Sequence, residues 1–244
     1  MEKLVYEGMY HREKTYWWDI GRRNLVISAI ETNHNLDQNS KILDAGCGTG
    51  LMLSGLAKRF PQIYGLDFSE EAMKFCKKRG FRNVKKVDFE KDSLGESGSF
   101  DAALCLEVME HVKNHDFFAA QLNKVLKKDG YLYLTVPAYQ FLWSHHDEML
   151  WHQRRYNRKA ITGLLEKNGF TIIKATHFYS FLVPPAVILF YLLKNQVKDM
   201  KSDSIEVGGT FNKILLLVAR IEGFLLRFIS LPFGLSIFVV AKKD

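Results

Sequence analysis

Lys41-Ile-Leu-Asp-Ala-Gly-Cys-Gly-Thr-Gly50 joins a short apolar run to a loop with three glycines. A strand that ends in such a loop presents backbone, with little side chain, to a ligand. Gly46, Gly48 and Gly50 stand at i, i+2 and i+4, and Leu51 occupies i+5, where the dinucleotide fingerprint needs its third glycine. The Gly-Lys-Ser/Thr of a Walker-type phosphate loop is missing as well, so the ligand need not carry a pyrophosphate. Asp67 closes the next apolar run, Gln62-Ile-Tyr-Gly-Leu-Asp67, about twenty residues on, where a carboxylate can accept hydrogen bonds from ribose hydroxyls. Loop and carboxylate together point to a nucleoside ligand.

From Lys41 onward, apolar strand patterns alternate with helical ones. Strands are expected at 41–46, 62–67, 84–88, 100–105, 130–136, 170–178 and 235–241, and helices at 49–59, 69–79, 115–128 and 158–168. That alternation predicts an α/β fold, a parallel sheet with helices on both faces. Ser69 followed by Glu70 and Glu71 is a helix start, and Gly80 a helix stop.

Five segments in this order carry a family resemblance. Ile42–Gly50, Gly65-Leu-Asp-Phe-Ser69, Val87-Asp-Phe89, Phe100–Val112 and Leu126–Pro137 resemble the successive motifs of class I S-adenosylmethionine (SAM) dependent methyltransferases, of the type 11/12-like small-molecule group. The resemblance implies a Rossmann-like sheet of seven strands, mostly parallel with an antiparallel last strand. It also implies SAM as cofactor, with Gly46, Gly48 and Gly50 at its methionine part, Asp44 near the amino end, Asp67 on the ribose and Phe68 among the cofactor-binding residues. Asp88 and Phe89 then lie at the adenine, and Leu106 at the edge of the site.

The acceptor side is read from the residues after the fourth and fifth strands. Glu107, Glu110 and His111 are similar to the Glu-x-x-Glu-His metal ligands of small-RNA 2′-O-methyltransferases and some quinone O-methyltransferases. The same Glu-His-Val ending also serves methyltransferases that hold no metal there, and no metal is assigned. Trp143-Ser-His-His-Asp-Glu-Met-Leu-Trp-His-Gln-Arg-Arg-Tyr156 is expected to be a loop at the carboxyl edge of the sheet. A histidine beside an aspartate can act as general base near neutral pH, and paired arginines suit a phosphate or carboxylate. The expected base is His146 held by Asp147, with His152 as substitute. Trp143, Arg154, Arg155 and Tyr156 are expected to bind the acceptor, a small molecule that is methylated on oxygen or nitrogen and that a lipid tail or phosphate could accompany.

The chain divides into four segments on this reading: a helical lid at 1–40, the SAM-binding core at 41–180, an apolar helical insertion at 181–229 and the last strand at 230–244. In the first, Tyr16, Trp17 and Trp18 are candidates for covering the pocket, against the plainer reading that they dock a helix. In the third, Phe181 to Leu193 is only thirteen residues long with two prolines, too short to span a bilayer. A polar linker from Lys194 to Thr210 comes next, then an amphipathic helix over 211–229. This insertion could line the acceptor pocket, form a homodimer contact or lie in a membrane interface.

The composition bounds the partners. With 244 residues, 47% apolar and 25% charged, the chain reads as one globular unit, and the net charge of +7 with a pI near 9.2 is compatible with nucleic acid, anionic lipid or a phosphorylated acceptor. The apolar insertion and the lack of a recognisable RNA-binding module argue against an RNA methyltransferase, though the charge leaves that alternative open. A non-catalytic SAM-binding or assembly protein is the rival from another class. Cys47, Cys76 and Cys105, unpaired in number and without metal-like spacing, suggest a reduced cytoplasmic setting, free or peripheral at the membrane.

Overall fold

The computed structural model describes residues 3–184 and 208–244. Helix α1 (Lys3–Arg12) and helix α2 (Trp17–Glu31) precede β1 (Ile42–Ala45), α3 (Leu51–Leu56), β2 (Ile63–Asp67), α4 (Glu70–Lys78) and β3 (Val84–Lys86). Then come β4 (Phe100–Leu106), α5 (His115–Val125), β5 (Leu126–Pro137), α6 (His145–Met149), α7 (Arg158–Lys167), β6 (Phe170–Phe178), α8 (Gly209–Leu225) and β7 (Ser236–Lys243). The seven strands form one sheet in the order β3-β2-β1-β4-β5-β7-β6. Only β7 runs antiparallel, wedged between β5 and β6.

The local chemistry explains the boundaries. Ser69 accepts a hydrogen bond from Glu71 N at the start of α4, and Gly80 leaves that helix with φ 93°, a conformation that a side chain resists. Asn114 and Asn157 cap α5 and α7 through Phe117 N and Ala160 N. Helix α5 stops at Val125, three residues before the expected end, because Leu126 already pairs with Phe100 across a bulge. Strand β3 stops at Lys86, and Asp88 turns back to accept from Glu90 N.

All four residues of β1 are buried, since both faces of the sheet are covered. Leu43, Ala103 and Leu134 face a cluster shared with Phe118, Leu122 and Leu165, while Ile42, Leu104 and Tyr133 face the opposite layer with Val26, Ile30 and Leu53. Alternate residues of one strand thus serve two cores. The three cysteines are buried free thiols.

The stretch between β6 and β7 adds α8, which lies along α2 with Ala219 and Leu226 buried. Glu222, itself buried, accepts from Tyr179 N at 2.6 Å and Ser180 N at 2.9 Å, and Asn212 joins the start of α2 through Trp17 N at 3.0 Å. Most of the expected apolar run at Phe181–Leu193 and the polar linker to Thr210 lie outside the described residues. Among the described residues no helix is long and apolar enough to cross a membrane.

Candidate active site

The donor side is built by the turn after β1. Gly46, Gly48 and Gly50 have φ of 97°, 52° and 83°. A Cβ on Gly46 would stand 2.1 Å from Val108 Cγ2, so the loop requires glycine there for space as well as for conformation. Gly46 N and Cys47 N both donate to Leu66 O, and Gly48 N donates to Asp67 Oδ2 at 2.9 Å, which ties the loop to the end of β2. Asp44 ends up buried with Oδ2 lacking any partner, and burial, with the charge of Asp67 second, pushes its carboxyl up to about 7. An unpartnered carboxylate beside a backbone-lined cradle suits the ammonium and sulfonium of SAM.

Asp67 is buried at the end of β2, where Ser69 N donates to Oδ1 at 3.0 Å and the Tyr6 hydroxyl to the same oxygen at 3.2 Å. Tyr6 comes from α1, which lies over this corner: Met9 reaches Gly48, Tyr10 stacks on Phe75 at 4.8 Å, and Glu13 holds Thr49 Oγ1 at 2.6 Å while pairing with Arg79. A ribose diol that reaches Asp67 must therefore exchange with the Tyr6 hydroxyl. The helix that lies over the glycine turn and Asp67 is α1, whereas Trp17 and Trp18 pack against Tyr179 with ring centroids 5.3 and 4.2 Å away. The plainer reading of those tryptophans is the one their contacts describe. Nothing local in the sequence singles out Tyr6 or Glu13, whose partners lie 61 and 36 residues away.

Beyond Asp67, Phe68 is exposed at the mouth and Leu106 is half-buried at the end of β4. Asp88 is half-buried and paired with Lys91, but Phe89 departs from expectation. Its ring is buried against Phe118 at 4.9 Å, so this turn offers an adenine its backbone and Asp88, with the ring committed to the core.

On the acceptor side, the expected loop at 143–156 contains the short helix α6, whose Ser144 and Asp147 form a capping box. Asp147 is wholly buried and is the hub of this segment. Its Oδ1 meets His152 Nδ1 and Arg155 Nε, both at 2.8 Å, and its Oδ2 meets Arg155 Nη2 at 2.8 Å and Ser144 N at 2.9 Å. Burial alone would raise this carboxyl; the bonds from His152 and Arg155 outweigh it and hold the group well below the usual range. The histidine that Asp147 holds is His152, whereas His146 lies exposed on α6.

Three further expectations are corrected by these contacts. Arg154 donates to Val112 O and Lys113 O at 3.1 and 2.9 Å, and Arg155 is spent on Asp147, so neither guanidinium is poised for an anionic acceptor. Tyr156 is buried, its hydroxyl shared between His115 Nδ1 at 2.8 Å and Met109 O at 3.3 Å, which makes it a strut under the turn after β4. Trp143 is half-buried between a 3-10 turn and α6.

These struts bring the turn after β4 against the segment after α6. Gln153 N donates to Glu110 O at 2.7 Å, and the rings of His111 and His152 meet edge-on at 4.6 Å. Glu110 is fully buried with neither carboxylate oxygen bonded, and donor atoms of Glu110, His111 and His152 all lie within 4.8 Å of one another. Burial pushes the Glu110 carboxyl up, with Glu107 adding to it, and burial with His152 beside it brings the His111 imidazole down to about 4. A neutral imidazole is the form that binds a metal. Glu107 sits next to the cluster at φ 54°, 3.7 Å from Arg22 on α2. The assignment of no metal thus meets a cluster of two imidazoles and a buried carboxylate, donors that suit a divalent transition ion.

The comparisons with known proteins identify the domain. Residues 18–175 match the methyltransferase domain family. A ubiquinone biosynthesis O-methyltransferase of Pelagibacter ubique is 32% identical over 43% of this chain and 47% of its own, and one of Thiobacillus denitrificans is 26% identical over 84% and 86%. The chain thus spans about half the length of the Pelagibacter relative in that match. Among solved structures, Haemonchus contortus phosphoethanolamine N-methyltransferase 2 with S-adenosyl-L-methionine superposes with a TM-score of 0.59 at 17% identity, over 91% of this chain and 52% of that one. The chain belongs to the methyltransferase domain family and carries its domain on a Rossmann-like sheet.

Proposed function

We propose that this chain moves the methyl group of SAM to a hydroxyl oxygen of a small-molecule acceptor, with Glu110, His111 and His152 as the residues that handle the hydroxyl proton. The reading rests on the fully buried Glu110, whose two unbonded oxygens stand beside two imidazoles at the acceptor end of β4. An unpaired buried carboxylate is costly unless it is protonated or meets a cation. A divalent ion held there would act as a Lewis acid toward an acceptor hydroxyl. Asp147 fixes the tautomer and direction of His152, so that Nε2 is the nitrogen left for the cluster. In the transfer, the acceptor oxygen forms a bond to the methyl carbon as the sulfur–carbon bond breaks, and the hydroxyl proton leaves toward this cluster. Alignment of donor and acceptor is the protein's main contribution to such an in-line displacement.

The relatives named for ubiquinone biosynthesis make a hydroxylated ring with an apolar tail the first acceptor to try. The test is product mass after incubation of the protein with SAM and such rings, before and after treatment with EDTA. Methylated product that falls more than tenfold on chelation and returns with Mg²⁺, Mn²⁺ or Zn²⁺ supports the whole reading. Undiminished turnover after chelation, lost in His152→Ala, removes the metal and leaves His152 as general base. No product from any hydroxylated acceptor overturns the O-methylation itself.

A further inference from the structure

Helix α8 has two unlike faces. Ala219, Glu222 and Leu226 are buried against α2 and the end of β6, where Glu222 receives two backbone amides. On the opposite side Ile214, Leu217, Ile221, Phe224 and Phe228 succeed one another at steps of three and four residues, and each is more than half exposed, Phe228 the most at 74%. Phe211 extends the stripe toward the start of the helix, and Ile229 and Phe233 beyond its end. Burying apolar side chains is favourable, so a continuous row of them left in water is a drive toward a partner.

The charges beside the stripe select the partner. Lys213, Arg220 and Arg227 are the exposed charged residues of this stretch, and the one carboxylate, Glu222, is turned inward. None of the three cations makes an ion pair among the described residues; Arg227 sets Nε and Nη2 on the neutral Ser28 Oγ at 2.9 and 2.6 Å, which leaves its charge uncompensated. Arg220, Phe224 and Arg227 also line a groove of about 140 Å³ between α2 and α8, floored by Gly21 and Gly223. A helix whose described residues show water an apolar row and, as charges, only cations fits the boundary of an anionic lipid layer, where chains meet the row and phosphates meet the arginines.

We infer that α8 is a membrane-contact helix, by which the enzyme docks on an anionic phospholipid surface with the 214–228 stripe in the acyl boundary and Arg220 and Arg227 at the phosphates. The placement joins the surface to the acceptor side, because α8 is bolted to α2 through Asn212 and Trp17 N, and α2 carries Arg22 to Glu107. A membrane-dissolved acceptor would then enter from the face that touches the membrane. The inference stands on surface chemistry and is independent of the reaction proposed above.

The test is flotation of the full chain with vesicles of phosphatidylcholine alone and of phosphatidylcholine with 30% phosphatidylglycerol, with calorimetric SAM affinity as the measure of folding. Expected is recovery with the anionic vesicles that weakens about fivefold for each arginine changed in Arg220→Glu and Arg227→Glu. The triple variant Leu217→Glu, Phe224→Glu, Phe228→Glu should float less than a tenth as well, with SAM affinity and thermal midpoint unchanged. Absence of the wild-type chain from the anionic vesicle fraction overturns the inference. So does flotation that persists in the triple variant. A dimer in light scattering that the triple variant abolishes, without vesicle binding, overturns it in favour of a second copy as the occupant.

Discussion

Replacing Asp147 by asparagine keeps the shape of the residue and removes its charge, which isolates what that charge does. Asp147 is wholly buried and gathers Arg155 through two bonds, His152 through one and Ser144 N through another, all between 2.8 and 2.9 Å. In Asp147→Asn the amide NH₂ must face donors: turned toward Oδ2 it meets Arg155 Nη2 and Ser144 N, and turned the other way it meets His152 and Arg155 Nε. The Arg155 guanidinium is left little exposed without a counter-charge. Breaking a buried pair on one side costs about 3–5 kcal/mol. At about 2–4 °C per kcal/mol for a chain of this size, the thermal midpoint should fall by roughly 6–20 °C. Urea unfolding followed by far-ultraviolet circular dichroism measures the loss, and the pair Asp147→Asn with Arg155→Met completes a cycle. The double variant should recover part of the loss, with a coupling of about 1–3 kcal/mol. Methyl transfer should drop with His152 misoriented while SAM affinity stays. A loss below about 1 kcal/mol with no coupling would refute the view that this carboxylate holds the acceptor segment together.

The donor site and α8 carry expected outcomes of their own. Because burial raises Asp44 to about 7 in the free protein and a cationic donor favours its ionised form, SAM affinity should rise with pH between about 6 and 8 and level off above; calorimetry in two buffers of different ionisation enthalpy should register proton release, and Asp44→Asn should abolish both effects. Asp67→Ala removes the acceptor for Gly48 N, Ser69 N and the ribose and should weaken SAM by tenfold or more, about 1.4 kcal/mol, in the same calorimeter. Gly46→Ala puts a Cβ against Val108 at a φ of 97° and should cost about 1–3 kcal/mol in backbone strain alone, so SAM binding and urea stability should fall together. Glu222→Gln should loosen α8 from Tyr179 and Ser180, read as faster amide exchange in 209–229 with β1 and β4 unchanged.

The order of strands and helices and the donor loop were legible because their signals are local. Alternating apolar runs need only a window of a few residues, and the glycines of 46–50 and Asp67 lie on either side of a single helix. The edges that the reading placed too far, at Lys128 for α5 and Asp88 for β3, moved because a neighbouring strand or a turn acceptor took the residues over. Arg154 and Tyr156 looked free in the sequence because Val112 and Met109, which claim them, lie more than forty residues away, and Arg155 because the fold of the segment, not its order, turns it onto Asp147.

By itself, then, the sequence determined a SAM-type glycine turn at the end of a first strand, a mostly parallel α/β sheet and an apolar helix set between the last two strands. Only the tertiary structure decided which side chains meet: His152 on Asp147, Glu110 beside two imidazoles, Tyr6 over Asp67, and one bare face on α8. Periodicity and turn chemistry act along the chain, whereas a buried polar group takes as its partner whatever packing brings beside it, whether five residues away, as His152 is from Asp147, or sixty-one, as Tyr6 is from Asp67.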